Sequence, residues 1–265
     1  MKFPKSTLAK RLGIARSTLY YKSKKAGPDE EARTLIEEVM IGNPAYGHKR
    51  IAHELDWNKK KVLRLMKKFG LKPKLCRGQK WQKKGDIGLV PSGYPNLVSN
   101  WCPIEPDVVW FADFTYLKVR DSFLYLATVI DGYSKEVLGF AISKRHNRQL
   151  VKSATIDAIE FRKKLPKIFH SDQGSEYQSE EHLRLLEGMG IQVSMSEKAS
   201  PWQNGHQESF YSQFKLELGS LKHLSEGEIV EKIYQQIYYY NHLRIHTTLK
   251  MPPRRYYLNH TNKSV

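Results

Sequence analysis

The chain has little cysteine: Cys76 and Cys102 are the only two in 265 residues. Two thiols cannot build a disulfide framework or a structural zinc site. No run of about 18 apolar residues occurs, which excludes a transmembrane helix. The opening stretch, MKFPKSTLAKRLG, lacks the apolar core of a secretory signal. A reducing, intracellular compartment is the expectation. Acid is also scarce, with 27 Asp+Glu against 44 Lys+Arg and a net charge of +17. The basic excess is concentrated in the first third of the chain, which points to a polyanion partner such as DNA or RNA rather than to an evenly solvated surface. An anionic membrane fits less well, because no long basic amphipathic helix is present. What the chain does have is 40% hydrophobic residues, enough for a packed core.

The basic third reads as helical. In PKSTLAKRLGIARSTLYYKSKK, Ser6 or Thr7 can cap a first helix that ends at Gly13. A second helix is expected over residues 15–22, with Leu19 inward and Arg16, Ser17, Thr18, Tyr20 and Tyr21 outward. Helix, glycine turn and helix with polar and basic residues in front is a helix-turn-helix pattern, although a plain helical hairpin would look similar. Gly27 and Pro28 are expected to break the chain. Three helices should follow, over residues 29–41, 48–55 and 58–69. The last has Val62, Leu65, Met66 and Phe69 on its apolar face. Lys59, Lys60, Lys61, Arg64, Lys67 and Lys68 lie largely off that face. The expected organisation is a helix-turn-helix module at 1–27, a second helical DNA-binding module at 28–72, a basic linker at 73–104 and a core domain at 105–265.

From residue 108 the texture changes to β-branched and aromatic runs: VVWFADFTYLK, FLYLATVID and VLGFAIS, separated by short turns. These predict three antiparallel strands. A helix over 148–163, a strand over 167–171, a helix over 180–189, a strand over 192–194 and a helix opening at Glu208 should follow. This order predicts an α/β fold, a ribonuclease H-like mixed sheet with helices on its faces, preceded by the small all-α modules.

Three carboxylates stand out. Asp113 is in mid-strand, where burying an acid is costly without a partner. Asp172 follows the strand IFHS, and the carboxyl end of a strand is where open α/β sheets bind ligands. Glu208 lies in the first turn of a helix, 35 residues intervening between it and Asp172 (residues 173–207). Each has a simpler reading: solvent face, turn before Gly174, and helix dipole. Together they can converge, and convergent carboxylates without Cys or His ligands suit hard divalent cations. In a basic chain the expected substrate of such ions is a nucleic-acid phosphodiester. Asp131, before Gly132, reads as a turn residue, and Glu176 is a weaker substitute ligand. Lys215, on the same helical face as Glu208, is placed to reach a phosphate. His170, His206 and His246 read as structural or phosphate-contacting. Arg244 and His246 either anchor the tyrosine-rich helix or touch DNA.

VVWFADFTYL, FHSDQGSEY and SPWQNGHQESFYSQFKLE resemble the catalytic core of DDE transposases and retroviral-type integrases. YNHLRIHTTLKMPPRRY, LGIARSTLYYK and NPAYGHKRIAHEL resemble the second-reading-frame product of the insertion sequence three family. The resemblance covers nearly the whole chain. It implies that Asp113, Asp172 and Glu208 form a catalytic and metal-binding triad holding two Mg²⁺ or Mn²⁺ ions. Asn204 and Gly205 then belong to the motif around Glu208, with Asn204 among the DNA contacts. Gln207 stands where the family often has a small residue. Terminal inverted repeats and target DNA are the implied substrates. The implied assembly is a homodimer or higher multimer on DNA, with a first-reading-frame product as a possible partner and a nucleoid-associated location in a bacterial cytoplasm. The competing readings are a purely hydrolytic ribonuclease H-like nuclease and a DNA-binding regulator with an inactive core.

Overall fold

A computed structural model of the chain describes residues 4–20, 26–74, 93–99, 104–120, 122–196 and 205–261. The polypeptide divides into two compact units, residues 1–73 and 74–265.

The first unit is helical. α1 (Lys5–Arg11) starts after Pro4, and neither Ser6 nor Thr7 caps it. Gly13 turns the chain with a positive φ of 63°. A 3₁₀ segment, Arg16–Tyr20, follows where an α-helix is expected over residues 15–22. The remainder of that helix lies outside the described residues. α2 (Ala26–Gly42) includes Gly27 and Pro28 instead of being broken by them. Proline in a first helical turn forfeits only an N–H that has no partner in the helix. α3 (His48–Glu54) and α4 (Lys59–Lys68) complete the unit. Asn58 caps α4 by accepting from the Lys60 N–H at 2.8 Å. Ile36, Ile51, Val62 and Leu65 are fully buried and form the seam between these three helices. Asp29 fastens α2 to α4: it accepts two hydrogen bonds from Arg64, at 2.7 and 2.9 Å, and one from Lys68 at 2.8 Å. The Arg64 hydrogen bonds, then those of Lys68, hold its carboxyl well below the usual carboxylate range.

The second unit is a five-stranded sheet with order β3-β2-β1-β4-β5. The strands are β1 (Val109–Val119), β2 (Ser122–Asp131), β3 (Val137–Ser143), β4 (Ile168–Ser171) and β5 (Gln192–Met195). β1, β2 and β3 form an antiparallel meander, and β4 and β5 run parallel to β1 and β4 respectively. α5 (Arg148–Arg162) and α6 (Glu180–Gly188) pack over one face, burying Trp110, Ala112, Leu150, Ala154 and Leu186. α7 (Gly205–Leu218) and α8 (Glu226–His242) cover the other, burying Leu117, Leu126, Phe214, Ile233 and Tyr240. α9 (Pro253–Thr261) closes the described chain. This is the mixed α/β architecture that the alternating and helical periods predict.

Two details fix the geometry. β4 pairs with β1 only over Val109–Phe111, so no described strand covers that side of β1 from Ala112 onward. β3 lies so close to α5 that a Cβ on Gly139 would sit 2.2 Å from the Ala158 backbone nitrogen. A buried ion network holds the base of the sheet: Arg162 pairs with Asp107 at 2.7 Å and Glu136 at 3.0 Å, and Arg254 reaches Glu136 at 3.2 Å. Asp131 is a turn residue, as its position before Gly132 predicts. Its buried carboxylate accepts from the Ser134 N–H and hydroxyl and from the Asp107 N–H. No helix among the described residues is long and apolar enough to cross a membrane.

Candidate active site

Asp113 sits on β1 just past the point where β4 stops pairing. Strand alternation turns it, with Thr115, toward α7, whereas Phe114 packs with the cluster beneath α5. Its Oδ1 accepts from the Phe114 N–H at 2.8 Å. Burial first, then the charge of Asp172 and, more weakly, that of Glu208, pushes the Asp113 carboxyl up to about 8. Asp172 leaves the end of β4, and its Oδ1 accepts from the Gly174 N–H at 3.0 Å. Burial raises its proton affinity, as does the neighbouring Glu176. A Cβ at Gly174 would crowd both carboxylates, lying 3.0 Å from Asp172 Oδ1 and 3.4 Å from Glu176 Oε2, so a side chain there would displace them. Glu176 is tied to His146 at 2.7 Å, so this candidate ligand already has a partner.

Glu208 projects from the first turn of α7, which opens at Gly205 instead of at Glu208 itself. An open cleft of about 580 Å³ is lined by Asp113, Phe114, Thr115, Gly205, Glu208, Ser209, Tyr211 and Ser212. Two buried side chains set the position of α7 against the strand. Gln207 donates to the Phe111 carbonyl at 2.6 Å and the Thr128 carbonyl at 3.2 Å, and accepts from the Thr128 hydroxyl at 3.1 Å. The Tyr211 hydroxyl donates to the Asp113 carbonyl at 2.6 Å and meets the Thr128 hydroxyl at 2.8 Å. The residues flanking Glu208 therefore hold it over Asp113. The sequence marks Gln207 only as bulky where the family often has a small residue, and nothing local in it points to carbonyl partners 96 and 79 positions away.

The donor set is oxygen only, which suits hard divalent cations. Asp113 and Asp172 repel each other, and a cation between them would relieve that repulsion. Among the described residues, no three Asp, Glu, His or Cys side chains are gathered tightly enough to hold an ion as they stand.

Comparison with known proteins bears on this arrangement. The integrase core domain family matches residues 103–201, and a second integrase core domain description matches residues 189–253. The transposase for insertion sequence element IS904 of Lactococcus lactis is 35% identical over 196 residues, covering 72% of this chain and 77% of the relative. The putative transposase InsK for insertion sequence element IS150 of Escherichia coli is 30% identical over 262 residues, covering 94% and 91%. Transposase InsF for insertion sequence IS3A of the same species is 32% identical over 196 residues, covering 70% and 66%. The chain belongs to the insertion sequence 3 family of transposases. A simian T-cell lymphotropic virus intasome, solved in complex with a PP2A regulatory subunit, is similar in fold. Its TM-score is 0.52 at 17% identity, covering 76% of this chain and 66% of that one.

The transposase is thus a DNA-acting polynucleotidyl transferase with an integrase-like core, and the regulator and purely hydrolytic readings are not favoured. The other residues singled out in its sequence divide clearly. Lys215 lies on α7, close enough to Asp113 for their charges to interact, with Nζ 4.6 Å from the Tyr116 ring centroid. Arg244 corrects the DNA-contact expectation. It is 2% exposed, its Nε lies 2.7 Å from Glu217, and Nη2 donates to Gln213 at 3.2 Å. It anchors the end of α8 to α7. Arg64 is committed to Asp29. Lys59, Lys60, Lys61, Arg16, Ser17, Thr18 and Tyr20 are exposed. Asn204 and Tyr21 lie outside the described residues. His170 is fully buried, with Nδ1 2.9 Å from the Ser194 hydroxyl. His246 forms an isolated bridge with Met251.

Proposed function

We propose that Asp113, Asp172 and Glu208 are the catalytic carboxylates of this transposase, holding two Mg²⁺ or Mn²⁺ ions. They would cut and join strands at the terminal inverted repeats of a mobile element. One observation carries the reading: Asp113 lines a cleft with Glu208, and its proton affinity is raised by burial, by the charge of Asp172 and, more weakly, by that of Glu208. Carboxylates are kept in that unfavourable state where a cation is to be received.

When bound, the ions supply an activated attacking oxygen and stabilise the leaving 3′-oxygen. The protein's own part is positional. Gly174 and the Phe114 N–H orient Asp172 and Asp113, each through Oδ1, leaving the second oxygen of each for a ligand. Gln207 and Tyr211 fix the first turn of α7, and with it Glu208. Lys215 is placed to hold a phosphate oxygen next to Asp113. Water is the first nucleophile and the freed 3′-hydroxyl the second, so no protein side chain bonds to DNA. The exposed cations of the first unit, Lys59, Lys60 and Lys61 with Arg16, contact DNA phosphates. A multimer pairs two element ends, and a first-reading-frame product adds further DNA binding.

The test is a labelled, pre-cleaved terminal repeat incubated with the protein and Mg²⁺ or Mn²⁺. Joined products should form with the native chain and vanish in Asp113→Asn, Asp172→Asn and Glu208→Gln. Joining that persists in any of the three would remove that residue from the assignment.

A further inference from the structure

We propose that Tyr116 and Phe123 form a stacking shelf for an unpaired base of the DNA beside the reacting phosphodiester. The proposal rests on the carboxylate assignment above and adds a specific nucleobase contact to it. Tyr116 stands three residues past Asp113 on β1, and Phe123 is its diagonal neighbour on β2, across from Lys118. Their rings meet edge to face, with centroids 5.5 Å apart and planes at 89°. Both remain open to solvent, Tyr116 at 60% and Phe123 at 45%.

An aromatic pair left in water at the tip of a hairpin is a cost unless something covers it. The surroundings say what. Lys215 lies 4.6 Å from the Tyr116 centroid while also sensing the charge of Asp113. One cation therefore links the shelf to the candidate catalytic acid. Lys118 is exposed two residues further along β1, on the Tyr116 side of the strand. Rings with cations at their margins fit a nucleotide, whose base stacks while its phosphate meets an ammonium group. Alternation puts Tyr116 on the strand face opposite Asp113, with Lys215 of α7 reaching its ring, and the edge of β1 between them has no described partner strand beyond Phe111. A nucleotide splayed out of the duplex beside the cut bond would thus place its phosphate at Lys215 and its base on Tyr116.

The test uses the full chain and two readouts. The first is fluorescence of 2-aminopurine placed in a single-stranded overhang of a short duplex, bound by the Asp172→Asn protein so that no chemistry intervenes. Quenching on binding is expected. It should be lost when Tyr116→Ala is added and kept with Tyr116→Phe or Tyr116→Trp. The second is joining of a pre-cleaved element end by the otherwise native chain. Tyr116→Ala should lower joining about tenfold at limiting DNA, with Tyr116→Trp restoring it. Quenching that survives both Tyr116→Ala and Phe123→Ala would overturn the shelf. So would a Tyr116→Ala protein altered only in its sedimentation, since the pair would then be a protein contact. Joining that persists in Asp172→Asn, with quenching still dependent on Tyr116, would sink the carboxylate assignment and leave the shelf standing.

Discussion

Replacing Asp113 by asparagine should make the metal-free transposase more stable, and the gain should grow with pH. The Asp113 carboxyl ionises at about 8 in the fold, because it is buried and faces Asp172. An unfolded chain ionises aspartate near 3.9. Between those values the folded state holds a proton that the unfolded state releases, so folding stability falls as pH rises through the window and levels off above about 8. Each unit costs about 1.4 kcal/mol, so at pH 7 the ideal penalty is roughly 4 kcal/mol. Water entering the open cleft screens part of it, leaving roughly 2–4 kcal/mol. Asparagine has no proton to lose and keeps an oxygen for the Phe114 N–H. In a unit of this size the gain corresponds to a rise of roughly 4–15 °C in Tm. Scanning calorimetry in EDTA at pH 6, 7 and 8 would measure it. Saturating Mn²⁺ should narrow the gap, because only the native site gains by binding. A variant no more stable than the native protein at pH 8 in EDTA would refute the argument that Asp113 is held against its charge.

Other perturbations follow from the same structure. Arg162→Ala would leave Asp107 and Glu136 buried without their shared cation, and should cost about 3–5 kcal/mol in denaturant unfolding. Gly139→Ala would push a methyl against the α5 backbone at Ala158; a loss of about 3 kcal/mol is expected, and an unchanged melting temperature would mean that β3 and α5 are further apart. His170 and His182 are buried and neutral, with burial lowering both to about 4. As pH falls from about 6.5 toward 4, the unfolded chain takes up protons that these rings refuse, so each should cost roughly 1.4 kcal/mol per unit. Among the described residues both ring nitrogens of His182 lack a hydrogen-bond partner, so His182→Leu should flatten this acid limb in urea midpoints measured at pH 5 and 7.

Much of the core was legible because its signals are local. The alternation in VVWFADFTYLK predicts a strand within a residue of Val109–Val119, and VLGFAIS coincides with β3. The expected helix over 148–163 matches α5 to within a residue, and Asn147 caps it by accepting from the Leu150 N–H. The open position of Asp113 comes from the β1–β4 register, which only the structure gives, since β4 is too short to run beside it. The misplaced boundaries arose where two local rules compete. Gly27 and Pro28 read as a break, yet proline suits a first helical turn, and Asp29 bonded to Arg64 and Lys68 holds that turn in place. Gln207 reads as a residue ahead of the Glu208 helix, because its partners, the Phe111 and Thr128 carbonyls, lie 96 and 79 positions away.

The cations show why contact prediction from charge is harder than fold prediction. Arg244 reads as either an anchor of the tyrosine-rich helix or a DNA contact, and Arg64 as a DNA contact because its own helix is basic. Their acids, Glu217 and Asp29, are 27 and 35 residues distant. Arg162 likewise belongs to Asp107 and Glu136. Each such pair removes one positive and one negative charge from the surface, so the net charge of +17 is unchanged by them. The excess must fall on the cations left outside such pairs. In the first unit these include Lys59 and Lys60, exposed at the start of α4, and Lys61 beside them over Trp57. In the second unit Lys215 lies near Asp113 and over the Tyr116 ring. Folding therefore sharpens a diffuse basic composition. Arg64, Arg162 and Arg244 are spent on largely buried carboxylates, where a planar fork fits best, and Lys59, Lys60 and Lys61 are left at the surface, where phosphate binding needs only a point charge.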